Sequence, residues 1–91
     1  MSRVTVRMSA TRTYQRNEHA YYTVMQDLAT GQYRWEWHEN GEAPDSGPWL
    51  STISGALRHA AGNWDACGDG GNLAGRLRRA AAAYAKRETA Q

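Results

Sequence analysis

Few residues in this 91-residue chain could do covalent or metal chemistry: His19, His38, His59, a single cysteine, Cys67, and a scatter of serines and carboxylates. Zinc ligands come in closely spaced Cys or His pairs. The three histidines and Cys67 form no such pairs, so neither a metal nor another cofactor is expected. Cys67 lies between Asp65 and Asp69, whose negative charge opposes thiolate formation. No neighbouring base and orienting group complete a nucleophilic set around it, so an inert thiol is expected. The run Gly68-Asp69-Gly70-Gly71 precedes a helix start, where phosphate can bind. A phosphate-binding loop, however, follows a strand and closes with Lys-Ser/Thr. This run follows a helix and leads into Asn72-Leu73, which reads as a linker. The chain is therefore not expected to be an enzyme.

Binding chemistry is better represented. There is no Phe, yet there are five Tyr and four Trp, and six of these nine lie between Tyr21 and Trp49. Each carries a polar handle suited to half-buried positions and interfaces. Tyr and Arg are also favoured at the energetic centres of protein interfaces. Tyr22, Arg34, Glu36 and His38, with the acidic Glu39 and Glu42 beyond them, make the expected protein-binding set. A nucleic-acid surface is the alternative, built from Arg3 and Arg7 near the N-terminus and Arg76 and Arg79 on a basic helix. The plainer alternative for those arginines is a solvated face.

Charge is arranged in three blocks. Residues 1–17 carry Arg3, Arg7, Arg12 and Arg16 and no acid, a net +4. Residues 18–69 carry eight acids against Arg34 and Arg58, a net −6. Residues 70–91 return to +4. The ends can neutralise the middle within one fold or across a homodimer, or a block can steer a charged partner. Ten Arg against one Lys, with fifteen Ala, is the bias of a GC-rich bacterial or phage gene. There is no apolar run of membrane-spanning length and no signal-peptide block near the N-terminus. With one cysteine, a reducing, cytoplasmic setting is expected.

The elements that would position these residues make one α+β domain, residues 1–91. Residues 3–8 alternate Val4, Val6 and Met8 against Arg3, Thr5 and Arg7, a half-buried strand. Residues 9–19 read as a loop. Residues 20–28 and 32–38 are rich in β-branched and aromatic types, with Ala29-Thr30-Gly31 between them. A three-residue hairpin loop with Gly31 left-handed pairs Leu28 with Gln32. That register puts Tyr21, Thr23, Met25, Tyr33, Trp35 and Trp37 on a core face. Tyr22, Val24, Gln26, Arg34, Glu36 and His38 fall on the outer one. Asn40-Gly41 starts a polar turn that runs through Pro48, and Trp49-Leu50 reads as a short third strand after it. Ser51 or Thr52 caps a helix with the stripe Ile53, Ala56, Leu57, Ala60, Ala61 and Trp64. Asn72 caps a second helix, 73–87, with Leu73, Leu77, Ala80, Ala81 and Tyr84 inward. The architecture expected is a three-stranded antiparallel sheet covered by an amphipathic helix, with a second helix at the C-terminus.

The stretch Gly31-Gln-Tyr-Arg-Trp-Glu-Trp, then Asn40-Gly41, then Ser46-Gly47, then a helix containing Ala56, resembles the small YegP-like domains over residues 20–62. The resemblance implies a sheet of short strands with one helix and no assigned activity. The layout is also loosely similar to three-stranded-sheet DNA readers of the integrase-arm type. Small size, an acidic middle and the absence of chemistry point to a non-enzymatic protein-binding module. A phage or mobile-element inhibitor of the anti-CRISPR kind, occluding a partner surface, would fit. A nucleic-acid-binding module is the alternative.

Overall fold

The computed structural model describes residues 1–9, 20–39, 41–68 and 70–90. Their order is β1 (Ser2–Ser9), β2 (Ala20–Asp27), β3 (Tyr33–Glu39), β4 (Asp45–Ser46), α1 (Ile53–Cys67) and α2 (Leu73–Thr89). The strands form one antiparallel sheet in the order β1-β2-β3-β4. The class is α+β, as expected, with four strands rather than three. The added strand is Asp45–Ser46, inside the expected turn, and Leu50 contributes a single bridge to Tyr33.

The β2–β3 hairpin departs from the expected register by one residue. Asp27 Oδ1 accepts from the Ala29 amide at 3.0 Å, and the Gly31 amide donates to the Asp27 carbonyl at 2.7 Å. An aspartate folded onto the backbone two residues ahead starts the turn, and the loop becomes Leu28–Gly31, four residues long. Gly31 ends it at φ +77°, the left-handed conformation expected there. Tyr22 therefore pairs with Trp37, Val24 with Trp35 and Gln26 with Tyr33. Because side chains alternate, one extra loop residue turns β2 over. Tyr22 and Val24 face the helices, whereas Tyr21, Thr23 and Met25 face away.

A second irregularity lies in β1. Val4 pairs with Met25, but Val6 pairs with Val24, so a bulge falls at Thr5. Thr5 Oγ1 donates to the Val24 carbonyl at 2.9 Å. The bulge splits the expected valine face. Val6 and Met8 pack on the core, while Val4 stands 55% exposed on the other side.

Both helices lie on one face of the sheet. Thr52 caps α1, its Oγ1 accepting from the Gly55 amide at 3.0 Å. Gly68 ends α1, its amide donating to the Trp64 carbonyl. α1 rests against β2 and β3, and α2 packs along α1. The core joins Tyr22, Val24 and Trp35 to Ala56, Leu57, Ala60, Ala61, Leu73, Leu77 and Ala81, all buried. Each large apolar side chain buried here contributes about 1.5–3 kcal/mol. Tyr22 is the hub of an aromatic cluster, with ring centroids 4.7 Å from Trp37, 5.6 Å from Trp35 and 6.3 Å from Trp64. Its hydroxyl donates to Asn63 Oδ1 on α1. Burial pushes the Tyr22 phenol far above its ordinary pKa, and nearby Cys67 and Asp45 add to the effect. The group thus stays a neutral donor.

Candidate functional site

Antiparallel pairing aligns the outward side chains in rows across the sheet. One row runs Arg7, Thr23, Glu36 and Ser46 from β1 to β4. The row towards the β2–β3 loop runs Val4, Met25 and Arg34. On the other side, Tyr21 sits beside His38. The helices occupy the opposite face, so these side chains lie on the outer side of the sheet, with Thr23 buried beneath its neighbours.

The rows are tied together by stacking and charge. The Arg7 guanidinium lies 4.0 Å over the Tyr21 ring. Tyr21 and the His38 ring stack at 4.8 Å with planes 12° apart. His38 Nε2 is 3.3 Å from both Thr23 Oγ1 and Glu36 Oε1. Arg34 Nη2 donates to Glu36 Oε2 at 3.3 Å, and its guanidinium lies 4.5 Å over the Trp49 ring. The Arg34 Nε atom is buried without a hydrogen-bond partner. Stacking thus helps hold that head group, at the cost of a desolvated donor. The chain Arg7–Tyr21–His38–Glu36–Arg34–Trp49 spans the face and leaves its aromatic and guanidinium groups ordered.

Arg34, Glu36 and His38 are thus brought together on the outer face, as the sequence predicts. Tyr22 is not with them: it is 2% exposed in the core, because the longer loop inverts β2. Tyr21 takes the outer position instead. Glu39 has the parity of Trp35 and Trp37, and its Oε1 accepts from Trp37 Nε1 at 3.1 Å. Glu42 is exposed in the following turn, at the end of β3 remote from Arg34. The two acids therefore stand apart from the outer-face cluster.

The four arginines expected to contact nucleic acid do not share one surface. The Thr5 bulge leaves Arg7 outward but turns Arg3 to the helix side, where its Nε donates to Gln26 Oε1 at 3.0 Å. Arg76 Nη2 donates to the Ser9 carbonyl at 3.0 Å, joining α2 to β1. Arg79 is exposed on α2. Arg78 pairs with Asp65 of α1, and Arg87 lies 4.9 Å over Tyr84.

The histidines divide by role. His38 belongs to the outer cluster. His59 is exposed on α1, yet its Nδ1 accepts from the buried Trp35 Nε1 at 2.9 Å. His19 lies outside the described residues. Cys67 is free and exposed. Among the described residues, no three His, Cys, Asp or Glu side chains are grouped to hold a metal, and no helix is long and apolar enough to cross a membrane.

Sequence reasoning missed Tyr21, Val4, Met25 and Trp49 as members of this face. Asp27 held the missing signal, since an aspartate two residues before a small residue opens an Asx turn and lengthens the loop. The bulge left no comparable mark. No protein-family model, curated protein or solved structure matches the chain.

Proposed function

We propose that the chain is a non-enzymatic protein-binding module that docks through the outer face of its sheet. One observation carries this reading. The large apolar residues left exposed among the described residues are Met1, Val4, Leu28 and Trp49. All four gather at the same end of the sheet, with Val4 and Trp49 on or beside the outer face and Met1 and Leu28 adjoining at its edge. Val4 shares a row with Met25 and Arg34, Arg34 covers Trp49, and the Leu28 amide donates to the Met1 carbonyl. Val4, Met25 and Trp49 on this face, bordered by Tyr21, Arg34 and His38, match the anatomy of a protein interface. The residue types are those that dominate interface energetics. The role that fits this size is occlusion of a partner's working surface, as in a phage or mobile-element inhibitor of the anti-CRISPR kind.

The test is comparative capture from the native host's lysate, with circular dichroism as a folding check. Wild type should retain a protein that Val4→Asp and Trp49→Ala lose and that Arg79→Ala keeps. Equal capture by all four folded proteins would contradict docking through this face.

A further inference from the structure

The partner's chemistry can be narrowed from the charges of the same face, on the premise that this face is the docking surface. We infer that it takes an acidic protein segment whose carboxylates alternate with apolar side chains and are received by Arg7 and Arg34. Among the described residues, the acids on this side are already engaged. Glu36 is held between Arg34 and His38. The Asp27 carboxylate is folded into the loop, accepting from the Ala29 amide and Thr30 Oγ1. Hydrogen bonding from the Ala29 amide, foremost, keeps Asp27 below the ordinary carboxylate range. Among the described residues no carboxylate pairs with Arg7, and only Nη2 of Arg34 reaches one. The guanidiniums of Arg7 and, in part, Arg34 are therefore the charged donors left over on the face.

Both guanidiniums are prepared for such contacts. Each lies over an aromatic ring, which helps hold the head group in place; Arg7 then has its N–H groups for a carboxylate, and Arg34 has those not given to Glu36 or buried. The ordering cost that usually weakens a surface ion pair is already met. Arg7 stands two strands from Glu36 in the same row, and Arg34 is two residues further along β3. Strand spacing of ~4.8 Å and a rise of ~3.3 Å per residue put their Cα atoms about 12 Å apart. An extended chain covers about that distance in four residues. Two glutamates four positions apart, with apolar residues between, match that Cα spacing and can splay towards guanidiniums that lean apart over Tyr21 and Trp49, while the chain between them passes Met25.

Two other occupants fit less well. A second copy docked by the same face would bring Arg7 and Arg34 against themselves, with both acids already engaged. A nucleic-acid backbone spanning the two arginines would gain nothing from Val4 or Met25.

The probe is a fluorescein-labelled peptide with Glu at the first and fifth positions of a Val/Thr background, read by fluorescence polarisation. Its charge-reversed Lys twin and an oligothymidine of similar length serve as comparisons. The acidic peptide should bind, and Arg7→Ala and Arg34→Gln should each weaken it about tenfold, equivalent to ~1.4 kcal/mol. Arg79→Ala should leave it unchanged. Binding should also fall with added salt, since the pairs are partly exposed. No binding, equal binding of the Lys twin, or indifference to both arginine variants would overturn the inference. Binding of oligothymidine alone would overturn it in favour of nucleic acid. If the acidic peptide fails while Val4→Asp and Trp49→Ala still abolish capture from the host lysate, only the acidic partner is lost. If those variants also capture normally, the docking reading falls with it.

Discussion

Asp27 decides more than its own position. By accepting from Ala29 and Thr30 it adds one residue to the hairpin loop, and that residue settles which side of β2 meets the helices. Its carboxylate is lowered from the ordinary value by those donors, chiefly the Ala29 amide. The sign follows: the stability it contributes is present above the ordinary carboxylate range near pH ~4 and is lost as pH falls through the lowered folded value. Asp27→Asn should therefore lower the urea midpoint at neutral pH, and the gap should narrow as pH falls below ~4 and through the lowered folded value. A gap that persists undiminished in acid would show that the charge is not the cause. Gly47 sets a second local limit. A Cβ there would fall on the Trp35 indole, which is buried and bonded to His59. Gly47→Ala should cost about 1–3 kcal/mol in denaturant unfolding, as overpacking does. The sequence showed Gly31 as a left-handed turn residue, because only the turn acts on it. It did not show Tyr22 as buried, because Tyr21 and Tyr22 are adjacent and alternation alone cannot choose between two tyrosines.

At the scale of elements, the helices were legible and the sheet only partly so. The α1 stripe from Ile53 to Trp64 repeats at helical spacing, and every member lies in or against the core. Periodicity reads such a face directly because it depends on nearby residues. The bulge at Thr5 and the two-residue β4 depend on the partner strand, so no local pattern announces them. A further contact between elements was equally hidden. Glu88, near the end of α2, reaches the start of α1, where its Oε1 accepts from Ser54 Oγ at 2.6 Å and its Oε2 from the Ser54 amide at 3.2 Å. A carboxylate at a helix N-terminus satisfies a free amide and complements the helix dipole. Glu88→Ala should cost ~0.5–2 kcal/mol, the range of a lost N-cap. Amide exchange should quicken in the first turn of α1. Unchanged exchange there would mean that Thr52 alone holds that end.

For the molecule as a whole, the α+β class was legible from composition and pattern, whereas the division of labour between the two sides of the sheet was not. Helices cover one side with Tyr22, Val24 and Trp35 beneath them; the other presents Arg7, Tyr21, Arg34, His38 and Trp49. The three charge blocks were only a weak guide, because β1 sends Arg3 and Arg7 to opposite sides and α2 uses Arg76 and Arg78 in internal contacts. The docking proposal and its acidic partner both depend on which side of β2 is buried. Urea unfolding of Tyr21→Ala and Tyr22→Ala, measured side by side, tests that point most directly. Tyr22→Ala should lose ~3–5 kcal/mol as an aromatic core truncation, with Tyr22→Phe losing about 1 kcal/mol for the hydroxyl bond alone. Tyr21→Ala should lose less than ~1 kcal/mol, as a surface substitution. The reverse order, with Tyr21 costly and Tyr22 nearly free, would put the aromatic core on the opposite side and contradict the binding face.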